Sequence, residues 1–134
     1  MHSIFESEFT LEADYGSHHG DKYAKYVNLV TLVRQKQLEE FYQLPVEEIE
    51  ARGYSLMIST VHINFIRDPK IGENLVVKTQ IDNFSGGACN VNFWIYKKSN
   101  GKLVVDGYLV YTLKTSSNNY PDNFPDDFVA KLSI

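Results

Sequence analysis

Asp21 to Tyr42, which lies within the longest stretch of the chain without glycine or proline, constrains the possible folds more than any other feature. Its β-branched valines make local propensity ambiguous, but 22 residues far exceed the length of a typical strand. We therefore predict one long helix. Its middle, residues 26–33, is apolar nearly all round, which predicts burial on several sides. The apolar positions at helical spacing are Tyr23, Tyr26, Val27, Val30, Val33, Leu38 and Phe41.

Most of the remaining chain alternates between apolar and polar residues, as half-buried strands do. One such segment, residues 4–13, precedes the helix, and four follow it from Tyr54 onward. Leu44-Pro45 ends the long helix, and a short helix is expected from Val46 to Arg52, stopped by Gly53. The tail, residues 121–134, has helical spacing. The predicted inward residues of the five strands are Phe5, Phe9, Leu11 and Ala13; Met57, Val61, Ile63 and Phe65; Leu75, Val77, Thr79 and Ile81; Cys89, Val91, Phe93 and Ile95; Leu103, Val105, Leu109, Tyr111 and Leu113.

Two glycine-containing segments predict turns between strands. Asn100-Gly101 favours a two-residue hairpin turn, and Ser85-Gly86-Gly87 favours a wide turn or a bulge. The predicted order is therefore strand, long helix, short helix, four strands and tail. A single antiparallel sheet with one apolar helix must curl around that helix to cover it. This is the outline of the α+β hotdog fold, and we expect one such domain over residues 1–134.

A curled sheet of this kind has an exposed edge that invites pairing with a second chain, so we expect a homodimer or a homotetramer. The net charge is −4 and the 13 Lys and Arg residues are scattered, which argues against a nucleic-acid partner. No apolar run reaches the length of a membrane span, and no secretory signal is recognisable. The single cysteine, Cys89, fits a reducing compartment. The expected location is the cytoplasm.

Tyr26 and Arg34 stand eight residues apart in the predicted helix, and residues 68–73 contain a Pro and a Gly at a turn between strands. In both features the chain resembles the 4-hydroxybenzoyl-CoA thioesterase family, which has a helix with a Tyr and, eight residues later, an Arg, and a similar turn between strands. The resemblance implies hydrolysis of an acyl-CoA or acyl-carrier-protein thioester, with coenzyme A or phosphopantetheine as part of the substrate and no separate cofactor. One departure concerns the catalytic loop: Asp14 aligns with the first Asp of the family's Asp-x-Asp, but Gly16 occupies the place of the catalytic second one.

The same loop is also similar to that of the (R)-specific enoyl-CoA hydratases, which are hotdog proteins too. Asp14, His19 and Asp21 have the spacing of the Asp, His and Asp in that family. This resemblance implies hydration or dehydration of an enoyl thioester through an Asp14/His19 pair. The missing thioesterase carboxylate suggests a third possibility, a hotdog protein that binds acyl thioesters without catalysis.

The chemistry expected of the loop is shared by both enzymatic hypotheses. His19 is a candidate general base because imidazole titrates near neutral pH, and Asp14 could orient it. The backbone N–H groups of Gly20 and Asp21 lie at the positive end of the helix and could form an oxyanion hole. Asp21 has a second interpretation as the N-cap of the helix.

Outside the loop, the candidate site residues are those expected to contact the coenzyme A part of the substrate. Arg67 and Lys70 border the turn where related thioesterases contact the phosphates of coenzyme A, and Ser85 precedes two glycines that could approach a phosphate. Arg34 stands in a mostly apolar helix and must pair with carboxylates or carbonyls if it is buried. No His or Cys spacing supports a metal site, so none is predicted.

Overall fold

The computed structural model describes residues 4–11, 19–117, 119–121 and 123–132, without the side chains of residues 19–23, 41, 83–85 and 132. One antiparallel sheet has the strand order β1-β3-β4-β5-β2 and packs against a central helix, as predicted. The elements are β1 (Ile4–Thr10), α1 (His19–Lys36), α2 (Val46–Ala51), β2 (Tyr54–Phe65), β3 (Asn74–Ser85), β4 (Ala88–Lys97), β5 (Leu103–Thr115) and α3 (Asp126–Leu132).

The long helix begins two residues earlier than predicted, at His19, and ends where the sequence indicates. A π-helical turn, Gln37–Phe41, extends α1. Gln43 then adopts a left-handed backbone conformation with φ 55°, and the Leu44 amide donates to the Leu38 carbonyl at 2.7 Å. This left-handed termination, followed by Pro45, prevents the helix from continuing.

The described side chains of α1, from residue 24 onward, are buried on one side of the helix within the chain. Val30 and Val33 are fully inaccessible and face the sheet, whereas Val27 is half-buried and Leu32 is 52% exposed. The prediction of burial on several sides is therefore wrong for the single chain. The reason is that one five-stranded sheet covers one helical face, and the nearly continuous apolar sequence does not reveal which side remains uncovered.

The inward faces of β3 and β4 match the prediction, but β2 contains a bulge that the sequence does not reveal. The register between β2 and β5 shifts between Ile58 and Thr60. Because one additional residue reverses the alternation, Met57 lies on the face opposite to Val61, Ile63 and Phe65. The expected common face of these four residues is therefore wrong at Met57.

The two glycine segments both connect strands, as predicted, but their lengths differ from expectation. Gly86 and Gly87, with φ 59° and 73°, make a two-residue connection between the paired residues Ser85 and Ala88 instead of a wide turn, and the register of β3 and β4 shifts between Asp82 and Ser85, which confirms the predicted bulge. The β4–β5 connection is longer: the Lys97 amide donates to the Lys102 carbonyl, so residues 98–101 form a four-residue turn. At Gly107 a Cβ atom would lie 1.9 Å from the His62 carbonyl oxygen, so the close approach of β5 to β2 requires glycine.

Across the described residues, α1 and the other helices are all too short or too polar to cross a bilayer.

Candidate active site

One end of the sheet brings together the exit of β1, the start of α1 and the β2–β3 loop, residues 66–73. Thr10, the last residue of β1, pairs with Asn74. Beyond it, the Leu11 amide donates to the Glu73 carbonyl at 2.9 Å, and the Gly72 amide donates to the Leu11 carbonyl at 2.6 Å. We call this region, defined by Leu11, His19 and residues 66–73, the helix-start end.

Within the predicted catalytic loop, the structure describes only the backbone of the residues that open the helix. Asp14 lies outside the described residues. His19, Gly20 and Asp21 form the first turn of α1, where backbone N–H groups have no partner within the helix. Their positions fit the oxyanion-hole prediction, which stays a prediction. The N-cap interpretation of Asp21 is wrong, because the helix begins two residues before it. The roles of the His19 and Asp21 side chains stay predictions too, since these side chains lie outside the described part.

Tyr26, two turns into α1, is buried at the boundary of the hydrophobic core in the helix-start end. Its side chain is 4% exposed, and its ring packs against Phe65 with the centroids 5.8 Å apart. Burial raises the pKa of the Tyr26 phenol to about 12, and the negative charge of Asp68 contributes to the same shift. The phenol is therefore neutral at physiological pH and unsuited to act as a base.

Asp68 is a candidate site residue that sequence reasoning treated only as part of a turn. The carboxylate is exposed at the helix-start end and close enough to influence the pKa of Tyr26. An Asp before a Pro is common in turns, so no local signal distinguishes this position from an ordinary loop residue. Only the packing of the loop against α1 makes it a candidate for acid–base chemistry.

The predicted coenzyme A contacts are divided between the two ends of the sheet. Arg67 and Lys70 are exposed in the helix-start end, and Arg67 Nη1 donates to the Leu103 carbonyl at 2.6 Å. Ser85 lies at the other end of β3, roughly 35 Å away along an extended strand of this length. Within one chain the structure therefore does not bring Ser85 together with Arg67 and Lys70.

The other end of α1 contains polar groups that are buried. Gln37 and Thr79 are completely inaccessible, and the Thr79 hydroxyl donates to Gln37 Oε1 at 2.7 Å. The Gln37 amide nitrogen is 3.4 Å from the hydroxyl of Tyr42, whose pKa is raised by burial. We call this region, with Arg34, Cys89 and Tyr111, the far end. The sequence does not predict the Gln37–Thr79 pair, because each residue is polar at a position that periodicity assigns to the core.

The described residues contain no group of three His, Cys, Asp or Glu side chains arranged to hold a metal ion. Cys89 is buried, and burial raises the pKa of its thiol to about 12. A neutral buried thiol is a poor nucleophile and a poor metal ligand at physiological pH.

Comparisons with known proteins agree with this architecture. A 1,4-dihydroxy-2-naphthoyl-CoA thioesterase from Synechocystis superposes with a TM-score of 0.84 at 14% identity, covering 97% of this chain and 96% of that one. A Staphylococcus aureus protein solved in complex with CoA gives 0.81 at 17% identity, with 98% and 82% covered. A probable thioesterase from Escherichia coli gives 0.74 at 14% identity, with 97% and 96% covered. These similarities confirm the predicted hotdog fold.

The sequence has no significant match among curated proteins. The sequence profile of the thioesterase-like superfamily, however, matches residues 10–132, which include β1's last residue, α1 and all later strands. This match agrees with the resemblance carried by Tyr26, Arg34 and residues 68–73. The chain belongs to the thioesterase-like superfamily.

Proposed function

We propose that this protein is a thioesterase that hydrolyses an acyl thioester of coenzyme A or of an acyl-carrier protein at the helix-start end. The match to the thioesterase-like superfamily over residues 10–132 carries the proposal. The Synechocystis neighbour named for an acyl-CoA substrate and the Staphylococcus aureus neighbour solved with CoA support coenzyme A as the thiol carrier.

In the proposed mechanism, His19 removes a proton from a water molecule as its oxygen attacks the thioester carbonyl carbon, and Asp14 stabilises the resulting imidazolium. The N–H groups of Gly20 and Asp21 stabilise the oxyanion. The carbon–sulfur bond then breaks, the thiolate takes the proton from the imidazolium, and a carboxylic acid and a free thiol are released. The exposed carboxylate of Asp68 is a second candidate for the base.

Arg67 and Lys70 are proposed to contact the coenzyme A phosphates, since both are cations exposed in the helix-start end. The acyl thioester supplies all of the coenzyme A or phosphopantetheine that the reaction requires, so no separate cofactor is proposed. The single Cys89 fits a reducing compartment, and the proposed location is the cytoplasm.

The two edges of the sheet differ in a way that supports a dimer through β2. The β1 edge is seven residues long, and Glu6 and Glu8 form ion pairs with lysines at 3.7 and 2.9 Å. Such charges protect an edge from further pairing. The β2 edge is twelve residues long and exposes Met57, Ile58 and Phe65. We propose that β2 pairs with β2 of a second copy across a two-fold axis, alone or within a tetramer. Light scattering that finds a stable 15.4 kDa monomer at micromolar concentration would contradict this.

A panel of acyl-CoA and enoyl-CoA substrates tests the reaction class. Release of free thiol, detected with a thiol-reactive dye, is the expected result. Loss of the enoyl absorbance without thiol release would instead identify the hydratase implied by the Asp14/His19 spacing. No reaction in either assay, combined with thermal stabilisation by acyl-CoA, would identify a non-catalytic binding protein.

A further inference from the structure

A small cavity of about 70 Å³ lies at the far end, between α1, α2 and the start of β2. Val46, Ile49 and Leu56 supply apolar walls, while Ser55 and Glu50 supply polar groups. The remaining wall is Arg34, whose side chain comes from the buried face of α1 and is 7% exposed. The cavity therefore places a guanidinium group at the boundary of the core.

Arg34 forms no salt bridge with any of the described residues. Neither Nε nor Nη1 has a hydrogen-bond partner among them. The sequence-based expectation that a buried Arg34 would pair with a carboxylate or a carbonyl is therefore wrong for this part of the chain. A buried charge without a partner is unfavourable, so something is expected to neutralise it.

The groups that surround the guanidinium do not neutralise it. Its central carbon is 4.3 Å from the centroid of the Tyr111 ring, and this cation–π contact leaves the Nε and Nη1 donors without a hydrogen-bond acceptor. Cys89 is near enough for Arg34 to affect its pKa, yet that pKa remains about 12, so the thiol stays neutral. Glu50 lines the cavity but is exposed and forms no ion pair with Arg34.

We propose that this cavity is a binding site for a small monovalent anion, such as chloride or formate. The unsatisfied N–H groups of Arg34 supply charge-assisted donors, and the Ser55 hydroxyl can supply another. The volume is sufficient for a small ion, because a cavity measured in this way needs only about 10–15 Å³ to hold a water molecule. The nearby carboxylate of Glu50 disfavours divalent anions such as sulfate or phosphate, because a second negative charge increases the repulsion.

The anion site is separate from the proposed reaction site. Arg34 follows His19 by about four turns of α1, which corresponds to roughly 22 Å along the helix. A small anion would instead contact α1, α2 and β2, the three elements that line the cavity, and would stabilise their packing.

The melting temperature of the full chain, measured at constant ionic strength while sodium chloride replaces sodium gluconate, tests this proposal. Gluconate is much bulkier than chloride, so chloride should raise the melting temperature in a saturable way. Arg34→Met should weaken the apparent chloride affinity by roughly tenfold or more, because the charged donors are lost. Arg52→Met is the matched control, since Arg52 is exposed and already paired with Asp127. Its chloride response should equal that of the wild type.

Glu50→Gln provides a test that leaves Arg34 intact, should Arg34→Met fail to fold. Removing the neighbouring negative charge should strengthen the apparent chloride affinity several-fold. Crystals soaked in bromide should show anomalous density in the cavity. Equal melting temperatures in chloride and gluconate, or equal chloride responses of Arg34→Met and Arg52→Met, would overturn the proposal. An empty cavity in the bromide-soaked crystal would do the same. None of these readouts depends on thioesterase activity.

Discussion

The two ends of α1 use polar residues in opposite ways. At the helix-start end, the polar side chains of Arg67, Asp68 and Lys70 are exposed on a loop beside the first helical turn. At the far end, Gln37 and Thr79 are sealed inside the core and bonded to each other. Exposed polar groups can reach a substrate and exchange protons, whereas buried ones must satisfy each other. The comparison shows that polar groups near the start of one helix stay accessible to solvent while those near its other end are buried and hydrogen-bonded to each other.

The largest expected effect concerns the segment of α1 that connects the two ends. Val30→Asp should abolish the native fold, because it places a carboxylate without a partner at a fully inaccessible position, at a cost of several kcal/mol. Circular dichroism and light scattering measure the outcome. Leu32→Asp, on the exposed side of the same helix, is the control and should remain folded as a single chain. A soluble, natively folded Val30→Asp variant would mean that this face of α1 is not buried against the sheet.

The next effect concerns the helix-start end alone. If His19 is the base, His19→Ala should lower kcat by roughly 10²–10⁴-fold with little change in melting temperature. Asp14→Asn should lower kcat less, since the imidazole would remain. His62→Gln is the matched control, because His62 is exposed on β2 and stacks on Tyr108. Unchanged turnover in His19→Ala together with a large loss in Asp68→Asn would move the base to the β2–β3 loop.

Alkaline pH should lower the free energy of unfolding through one buried group at each end, first through Cys89 at the far end and then through Tyr26 at the helix-start end. The pKa of Cys89 rises from 9.0 to about 12 on folding, and that of Tyr26 from 10.0 to about 12. Between these values the unfolded chain loses protons that the folded chain retains. The free energy of unfolding should therefore be unaffected by these groups below pH 9. Above it, each group should cost about 1.4 kcal/mol per pH unit as it begins to titrate in the unfolded chain.

Denaturant titrations between pH 8 and 11 separate the two contributions. In Cys89→Ala, the pH at which the free energy of unfolding begins to fall should move from about 9 to about 10. In Tyr26→Phe, the free energy of unfolding should fall less steeply with pH above pH 10. If Cys89→Ala leaves the onset at pH 9, the far end is not as well sealed from solvent as the structure indicates.

The smallest expected effect measures the buried hydrogen bond of the far end. Thr79→Val keeps the shape of the side chain but removes the donor to Gln37 Oε1, and should lower the free energy of unfolding by about 1–3 kcal/mol. Thr112→Val removes a hydrogen bond that is exposed to solvent and should cost less. Equal losses in the two variants, measured by urea unfolding, would remove the energetic distinction between buried and exposed polar groups.

Local sequence patterns were sufficient to predict the element order and the class of fold, and the resemblance carried by Tyr26, Arg34 and residues 68–73 was sufficient to predict the family. The alternation in β3 and β4 correctly identified the buried residues, such as Val77 and Phe93, because strand geometry imposes a period of two on a half-buried sheet. Pro45 correctly marked the end of the long helix. These features depend on neighbouring residues, so the sequence by itself determined them.

Tertiary packing decided the rest. The bulge in β2 reversed the face of Met57, because register is set by the partner strand rather than by the strand's own sequence. The separation of Ser85 from Arg67, and the lack of a hydrogen-bond partner for Nε and Nη1 of Arg34 in the described part, follow from how distant segments meet. Asp68 became a candidate only where its loop packs beside Tyr26. Contacts between residues far apart in the chain depend on the arrangement of whole elements, and no local periodicity encodes that arrangement.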